Sequence, residues 1–336
     1  MRDRLVASLI RATRAIRADR AAHATLTIMA LAIAAAILGG HAITAQAPAA
    51  SRPWTAPKTE WGDSDLQGIW NYATMTPVER AANFATKAVL TEEEAMAFEE
   101  QTNARQRTAS TFTAGPDWFD PGTRRLVDRR TSLVVDPPTG RIPPTTAEAR
   151  ARAAAERRGR GGAADGPESL GLNVRCLQWT TAGPPMLPVL YNNNVQLVQT
   201  KQHIAIYNEM IHDVRVVPMD GRPHGTLRQW MGDSRGHWDG ATLVVDTVNF
   251  SEKNPFRGSA EHLHLVERFT RTSADTIAYR FTVDDPTVWT AAWTVEFPMH
   301  LQAGPMYEYA CHEGNARSME GILKSARYDE AHSPQK

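Results

Sequence analysis

The chain has 336 residues, with 37 basic and 37 acidic side chains and therefore no formal net charge at pH 7. This length allows one large hydrophobic core, and the balanced charge argues against nucleic acid as a partner. The sequence contains no Gly-x-Ser-x-Gly, phosphate-loop, dinucleotide-binding or Cys-x-x-Cys motif. A nucleotide-dependent enzyme is therefore not expected.

The first 47 residues have the pattern of an export signal. Six arginines lie within residues 2–20, an apolar stretch follows over residues 24–40, and Ala45-Gln46-Ala47 fits a cleavage site. The apolar stretch is nearly long enough to span a bilayer, so an uncleaved inner-membrane anchor is the alternative to a signal peptide. Either reading places the other 289 residues, with 31 basic and 35 acidic side chains, in the periplasm or outside the cell.

The two cysteines, Cys176 and Cys311, both follow this segment. In an oxidising compartment a pair of cysteines is most simply a disulfide. Closing such a long loop would stabilise the fold by about 4 to 5 kcal/mol in the chain-entropy model. The alternative is a nucleophilic or metal-binding thiol.

The residues after the signal divide into a linker and one domain. Residues 48–62 contain three prolines and predict an extended linker, and residues 63–336 predict a single domain. Within that domain, residues 65–70 and 132–136 are strand candidates. Thr91 is a helix N-cap for residues 91–105. Residues 147–164, rich in Ala, Arg and Glu, predict an exposed helix that passes into a flexible charged loop.

From Tyr191 onward the hydrophobic pattern has the two-residue period of β-strands. The predicted strands cover residues 195–200, 203–210, 214–219, 227–231, 241–250, 262–271, 276–284, 293–301 and 306–311. Asp239-Gly240 is a strong hairpin signal. We therefore predict an all-β, antiparallel, lipocalin-like barrel of about eight or more strands, with an N-terminal helical and loop-rich excursion.

Two ionisable side chains lie in register with apolar strand residues. His212 shares parity with Ile206 and Val214, and Glu267 lies between Leu265 and Phe269. Because strand side chains alternate faces, both groups are expected to face the core, which is costly unless they are paired or functional. The structural alternatives are a buried histidine bonded to a carbonyl, and a carboxylate paired with Arg215, Arg228 or Arg268.

Further polar residues surround these two in the sequence. A bulge near His212 would bring in neighbouring carboxylates, and His312 near the second cysteine could line a pocket rim. The candidate catalytic residues are His212, Glu267, Glu209, Asp213 and His312. The candidate substrate-binding residues are Asn208, Tyr191, Asn192, Asn193, Asn194, Trp230 and Glu308.

A metal site is the weaker hypothesis. His262 and His264 have the spacing of a cupin-like metal motif, but Glu267 faces away from both histidines. No metal and no cofactor are therefore predicted, and a metalloenzyme using these histidines stays a third possibility.

Several segments carry a resemblance to known proteins. Gly68-Ile69-Trp70 resembles the opening strand of lipocalins, in which the Trp plugs one end of the barrel. The segments Tyr-Asn-Asn-Asn (191–194), Glu-Met-Ile-His-Asp (209–213), Arg-Gln-Trp-Met-Gly-Asp-Ser-Arg (228–235) and Tyr-Glu-Tyr-Ala-Cys-His-Glu-Gly-Asn (307–315) are similar to motifs of a large family of exported bacterial proteins of uncharacterised function. This resemblance implies export and a single domain, and it implies no activity.

These observations favour a cofactor-independent lyase, isomerase or hydrolase that acts on a small, partly apolar molecule inside the barrel. His212 would act as general acid or base, Glu267 as its counterpart, and Asn208 with residues 191–194 would hold a developing oxyanion. The alternative is a non-catalytic periplasmic binding protein for a lipid or aromatic compound, in which an arginine neutralises the inward carboxylate. In either case a membrane is a partner only through an uncleaved N-terminal segment.

Overall fold

The structure is a computed structural model that describes residues 54–84, 86–113, 126–159, 166–179, 181–189 and 191–332. These residues belong to one unit of the chain, Trp54–Lys336. The predicted signal or anchor segment, linker residues 48–53 and residues 160–165 lie outside the described residues. Among the helices within these ranges, none combines the length and the apolar character needed to cross a bilayer.

Within these ranges the chain forms ten β-strands and three α-helices. The strands are β1 Gly68–Asn71, β2 Val134–Asp136, β3 Asn194–Gln199, β4 His203–Asn208, β5 Val214–Pro218, β6 Asp233–Asp239, β7 Thr242–Val248, β8 His264–Ser273, β9 Thr276–Asp284 and β10 Trp293–Leu301. The helices are α1 Glu92–Thr113, α2 Ala147–Gly159 and α3 Asn315–His332.

Nine of these strands form a nearly closed antiparallel barrel. Their order is β5-β4-β3-β1-β10-β9-β8-β7-β6, so the first strand of the chain lies between β3 and the last strand. The short strand β2 pairs with β10 on the same edge as β1: β2 pairs with residues 294 and 295 of β10, and β1 pairs with residues 300 and 301. The prediction of an all-β, lipocalin-like barrel with a helical excursion before β3 is confirmed.

Alternating apolar side chains fill the barrel. Along β9 the inward residues are Ile277, Tyr279, Phe281 and Val283, each fully buried, and their neighbours are at least partly exposed. On β10 the inward residues Trp293, Val295, Phe297 and Met299 are also fully buried. This alternation is what a strand needs when only one of its faces meets the core. The interior is therefore largely occupied by the protein's own side chains.

The barrel closes at a seam between β5 and β6. These strands are the two ends of the hydrogen-bonded path, and they pack together through side chains. Gly236 of β6 makes this approach possible, because a Cβ atom there would overlap Met219 Sδ and lie 3.0 Å from Val217 Cγ1. Because position 236 is a glycine, β5 and β6 can pack closely where they do not form a ladder of backbone hydrogen bonds.

Trp70 of β1 is fully buried, as expected for the tryptophan of a lipocalin-like opening strand. Its Nε1 donates to the carbonyl of Leu66 at 2.9 Å, and the guanidinium of Arg271 lies 5.3 Å from its ring centre. The indole N–H is therefore satisfied, and a cation covers the ring.

Several local predictions are confirmed and others are wrong. Thr91 caps α1 through a reciprocal pair of bonds with Glu94, at 3.2 and 2.9 Å. The β6–β7 hairpin exists, but its two-residue loop is Gly240-Ala241, one residue later than predicted. Residues 227–231 and 306–311 are not strands. Strand β6 and helix α3 were missed.

Candidate functional site

The turn between β4 and β5 carries most of the predicted catalytic residues. β4 ends at Asn208, a single 3-10 turn covers Met210–His212, and the N–H of Asn208 donates to the carbonyl of Asp213 at 2.8 Å. Ile211 and His212 have φ values of 62° and 49°. Left-handed backbone at a β-branched residue costs on the order of 1–3 kcal/mol, so burial of Met210 and Ile211 must hold this strained turn in place.

This turn also explains why one prediction is wrong. The inward residues are Ile204 and Ile206 on β4, but Arg215 and Val217 on β5. The 3-10 turn interrupts the alternation, and His212 is exposed instead of facing the core. Sequence parity cannot be carried across a turn whose length is unknown.

The C-terminal segment reaches His212 through a disulfide. Cys176 and Cys311 are bonded, with their Cα atoms 5.8 Å apart and a sequence separation of 135, so the predicted pairing is confirmed. His212 Nδ1 lies 3.3 Å from the carbonyl oxygen of Tyr309, and the ring centres of His212 and His312 are 6.2 Å apart. The bridge therefore places a second imidazole beside the first.

Asp213 has an unusual environment for a carboxylate. Its Oδ2 atom and the Oδ1 atom of Asn208 are both buried and accept no hydrogen bond within the described part of the chain. Burial raises the pKa of Asp213 from 3.8 to about 6, although the charge of His212 acts in the opposite direction. A carboxyl group with this pKa exchanges its proton close to neutral pH, as acid/base catalysis requires.

Side chains of the predicted 191–194 segment bond to neighbouring protein groups. Asn193 is fully buried, and its amide exchanges two hydrogen bonds with the backbone of Val189, at 2.7 and 3.0 Å. Asn194 donates to Glu209 and accepts from Asn71, both at 2.8 Å. These bonds position the turn, and a substrate-binding role for either amide stays a prediction.

Three aromatic side chains, those of Tyr191, Tyr309 and Trp179, pack against the cluster that contains Met210 and Ile211 of this turn. Tyr191 and Tyr309 share a side-chain hydrogen bond, and burial together with Tyr191 raises the pKa of Tyr309. The ring of Trp179 meets that of Tyr191 edge-on at 6.5 Å. Asn192, next in the chain, is left-handed with φ 55°. Neither Tyr309 nor Trp179 was among the predicted site residues. For Tyr309, the signal that could have identified it was its position two residues before Cys311.

Glu267 does not belong to this cluster. It is completely buried in the barrel, where Arg215 grips both carboxylate oxygens, one of them at 2.9 Å, and the hydroxyl of Tyr279 donates to Oε1 at 2.7 Å. That hydroxyl accepts from the N–H of Met186 at 3.2 Å. The prediction that both side chains face the core is confirmed for Glu267, with Arg215 as its partner, and is wrong for His212, which is exposed on the turn.

Two more predicted residues lie in partly or fully exposed positions. Trp230 is 42% exposed, and its carbonyl accepts from Asn254 at 2.9 Å. Glu308 is exposed in the segment before the disulfide. A substrate-binding role for Trp230 and Glu308 stays a prediction.

The histidines of the metal hypothesis lie on the outer wall. His264 Nε2 is 2.7 Å from one oxygen of Asp246, and His224 Nε2 is 2.8 Å from the other. His262 lies near Glu261 at 3.3 Å. Among the residues that the structure describes, no group of three or more His, Cys, Asp or Glu is arranged to hold a metal ion.

Fold and disulfide together define a class: the chain is a disulfide-linked, antiparallel β-barrel protein of the lipocalin-like kind. No family model, curated protein or solved structure matches it.

Proposed function

We propose that the chain is a cofactor-independent acid/base enzyme whose site lies at the β4–β5 turn and not inside the barrel. The observation that carries this proposal is the carboxyl group of Asp213, which has a buried, unpartnered oxygen and a pKa raised to about 6. The strained backbone at Ile211 and His212 supports it, because such strain gathers at functional sites.

The chemistry would be proton transfer to and from a small, partly apolar molecule. Above pH 6 the ionised Asp213 is a base whose strength is increased by burial. His212, whose charge acts on Asp213, and His312, whose ring lies 6.2 Å from that of His212, would return the proton as general acids. The rings of Tyr191, Tyr309 and Trp179 offer an apolar wall for the substrate.

The test uses 5-nitrobenzisoxazole, a small aromatic compound that a base opens by removing the C3 proton while the N–O bond breaks. Full-length protein is expected to release the coloured cyanophenolate with a rate that rises as the pH passes about 6. Asp213→Asn should lower this rate at least tenfold, and His212→Ala should lower it to a smaller extent.

His203→Ala is the matched control, because His203 is an exposed histidine at the start of β4, at the strand end opposite the turn. Circular dichroism of each variant separates loss of chemistry from loss of fold. Equal rates for wild type, Asp213→Asn and His203→Ala would reject the proposal, as would a rate that does not change between pH 5 and 8.

A second candidate function is binding without catalysis. The pairing of Glu267 with Arg215 favours this candidate, because a non-catalytic binding protein is expected to neutralise its inward carboxylate with an arginine. A wild-type protein without turnover that still binds an aromatic compound would favour this candidate over the first.

We also propose that residues 1–47 direct export. The disulfide between Cys176 and Cys311 supports this, since such bonds persist in oxidising compartments. Mass spectrometry of the protein from a periplasmic fraction tests it: cleavage after Ala47 predicts a chain that begins at Pro48, and a reduced, uncleaved cytoplasmic chain would contradict it.

A further inference from the structure

A groove of about 400 Å³ lies on the outer wall of the barrel, away from the β4–β5 turn. It forms where β10 changes partner. On that edge β2 pairs with residues 294 and 295, and β1 pairs with residues 300 and 301, so residues 296–299 lie in the interval between the two short strands. The groove is thus a gap in the barrel's lateral pairing.

Pro298 makes this gap stable. Alternate residues of β10 direct their N–H groups to the β1–β2 side, as the N–H of Glu296 does when it donates to the carbonyl of Leu133 at 3.0 Å. Residue 298 is the next in that series, and a proline has no N–H to leave unpaired. On β9 its cross-strand neighbour is Ala278. Two compact side chains therefore leave an open, apolar floor.

Arg130 provides a positive charge in this groove. Its Nη2 donates to the carbonyl of Glu296 at 2.8 Å, whereas its Nε is buried and has no partner among the described residues. The preceding residues Asp128 and Arg129 are both left-handed, with φ values of 47° and 57°, and this backbone places the arginine over the wall. Part of the guanidinium is thus removed from water without a protein acceptor.

Burial and the nearby carboxylates have opposite effects on this cation. Burial lowers the pKa of Arg130 more than the nearby carboxylates of Glu296 and Asp128 raise it. Glu296 is also shared with Arg280, at 3.6 Å. A partly buried guanidinium whose Nε has no acceptor among the described residues is a binding group for an anion, and its planar fork suits a carboxylate.

We propose that this groove is a binding site for a small monocarboxylate with an apolar body. Its volume is within the range of small-molecule sites, on the order of 300–1,000 Å³. Arg130 would receive the carboxylate, and Ala278, Pro298 and Leu126 would contact the apolar part. The carboxylates of Asp128 and Glu296, which also line the groove, select against a dianion such as a phosphate monoester.

The experiment is calorimetric titration of the full-length protein with 4-phenylbutyrate. Its neutral amide, 4-phenylbutanamide, keeps the apolar body and removes the charge. The acid is expected to bind with one site per chain and at least tenfold more tightly than the amide. Equal affinity of the two compounds, or no binding of the acid at millimolar concentration, would overturn the proposal.

Two variants test the groove by independent means. Arg130→Gln removes the charge and keeps an amide donor for the carbonyl of Glu296, and Ala278→Phe fills the floor without touching the charge. Each substitution should lower the affinity for 4-phenylbutyrate at least tenfold. Arg268→Gln is the control, since Arg268 is an outward arginine that pairs with Asp239 elsewhere on the wall.

Thermal unfolding of each variant shows whether the barrel is intact. Should Arg130→Gln fail to fold, Ala278→Phe and the comparison of acid with amide decide the question. Wild-type affinity in a folded Ala278→Phe or a folded Arg130→Gln protein overturns the assignment. Because the readout is binding and Asp213 lies outside the groove, the result is separate from that of the base-catalysis test.

Discussion

The buried ion pair between β5 and β8 gives the sharpest prediction about stability. Glu267 is 0% exposed and Arg215 is 6% exposed, and the two side chains connect the seam strand β5 to β8 through the barrel interior. Burial works to lower the pKa of Arg215, and the charge and hydrogen bonds of Glu267 overcome it, so the pKa is raised. The substitution to make is Glu267→Gln, which keeps the size of the side chain and removes its charge.

The magnitude follows from what remains in the barrel. Glu267→Gln leaves the guanidinium of Arg215 buried without a counter-charge, which costs about 3–5 kcal/mol of unfolding free energy. The double variant Arg215→Met with Glu267→Leu removes both charges and leaves only the hydroxyl of Tyr279 without its acceptor. This double variant should lie within about 2 kcal/mol of wild type. Two substitutions are thus expected to be milder than one.

Urea unfolding followed by circular dichroism measures these differences. Arg268→Gln is the matched control, because Arg268 follows Glu267 on β8 but points outward to Asp239, with both side chains more than a third exposed. Its loss should cost at most about 1 kcal/mol. The reasoning would be refuted if the Glu267→Gln protein were as stable as the Arg268→Gln protein. It would also be refuted if the double variant had a lower free energy of unfolding than Glu267→Gln.

Three further predictions concern the turn, the disulfide and the seam. Because folding raises the pKa of Asp213 from 3.8 to about 6, the free energy of unfolding should fall by about 1–3 kcal/mol as the pH rises from about 4 to 6. In urea unfolding, the Asp213→Asn protein should not show this fall. Identical pH profiles for the wild-type and Asp213→Asn proteins would contradict the prediction. Replacing Cys176 and Cys311 together by Ser should cost about 2–5 kcal/mol, and a loss below about 1 kcal/mol in the same assay would show that the bridge constrains little. Gly236→Ala should lower the unfolding free energy by about 1–3 kcal/mol through overlap with Met219, and Met219→Ala in the same chain should recover part of it; absence of recovery would place the cost elsewhere.

The strands that sequence predicted best are those with strict alternation and a tight turn. β9 and β10 match their predicted bounds, because inward apolar residues recur at every second position from Ile277 to Val283 and again from Trp293 to Met299. β6 was missed because its inward side contains Ser234 and Gly236 in place of large apolar residues. Its strand conformation comes from pairing with β7 along its whole length, which is a tertiary effect that local pattern does not report.

The candidate site was half predictable. The polar segments at 191–194, 208–213 and 307–312 were recognisable in the sequence, and the disulfide explains why two of them meet. The orientation of His212 was not predictable, since it depends on two left-handed residues that carry none of the usual glycine signal. Arg215 was among the possible partners of Glu267, but only the β4–β5 register shows that it faces inward.

The position of β1 has a consequence for how the protein is made. β3 to β5 and β6 to β10 are two meanders of neighbours in the sequence, and β1 is the four-residue strand that joins them. Its partners on β10 lie more than 200 residues away, as the pair Trp70 and Leu301 illustrates. During synthesis β1 emerges early and must wait for nearly the whole chain, so its pairing is a late, high-contact-order event on the folding pathway.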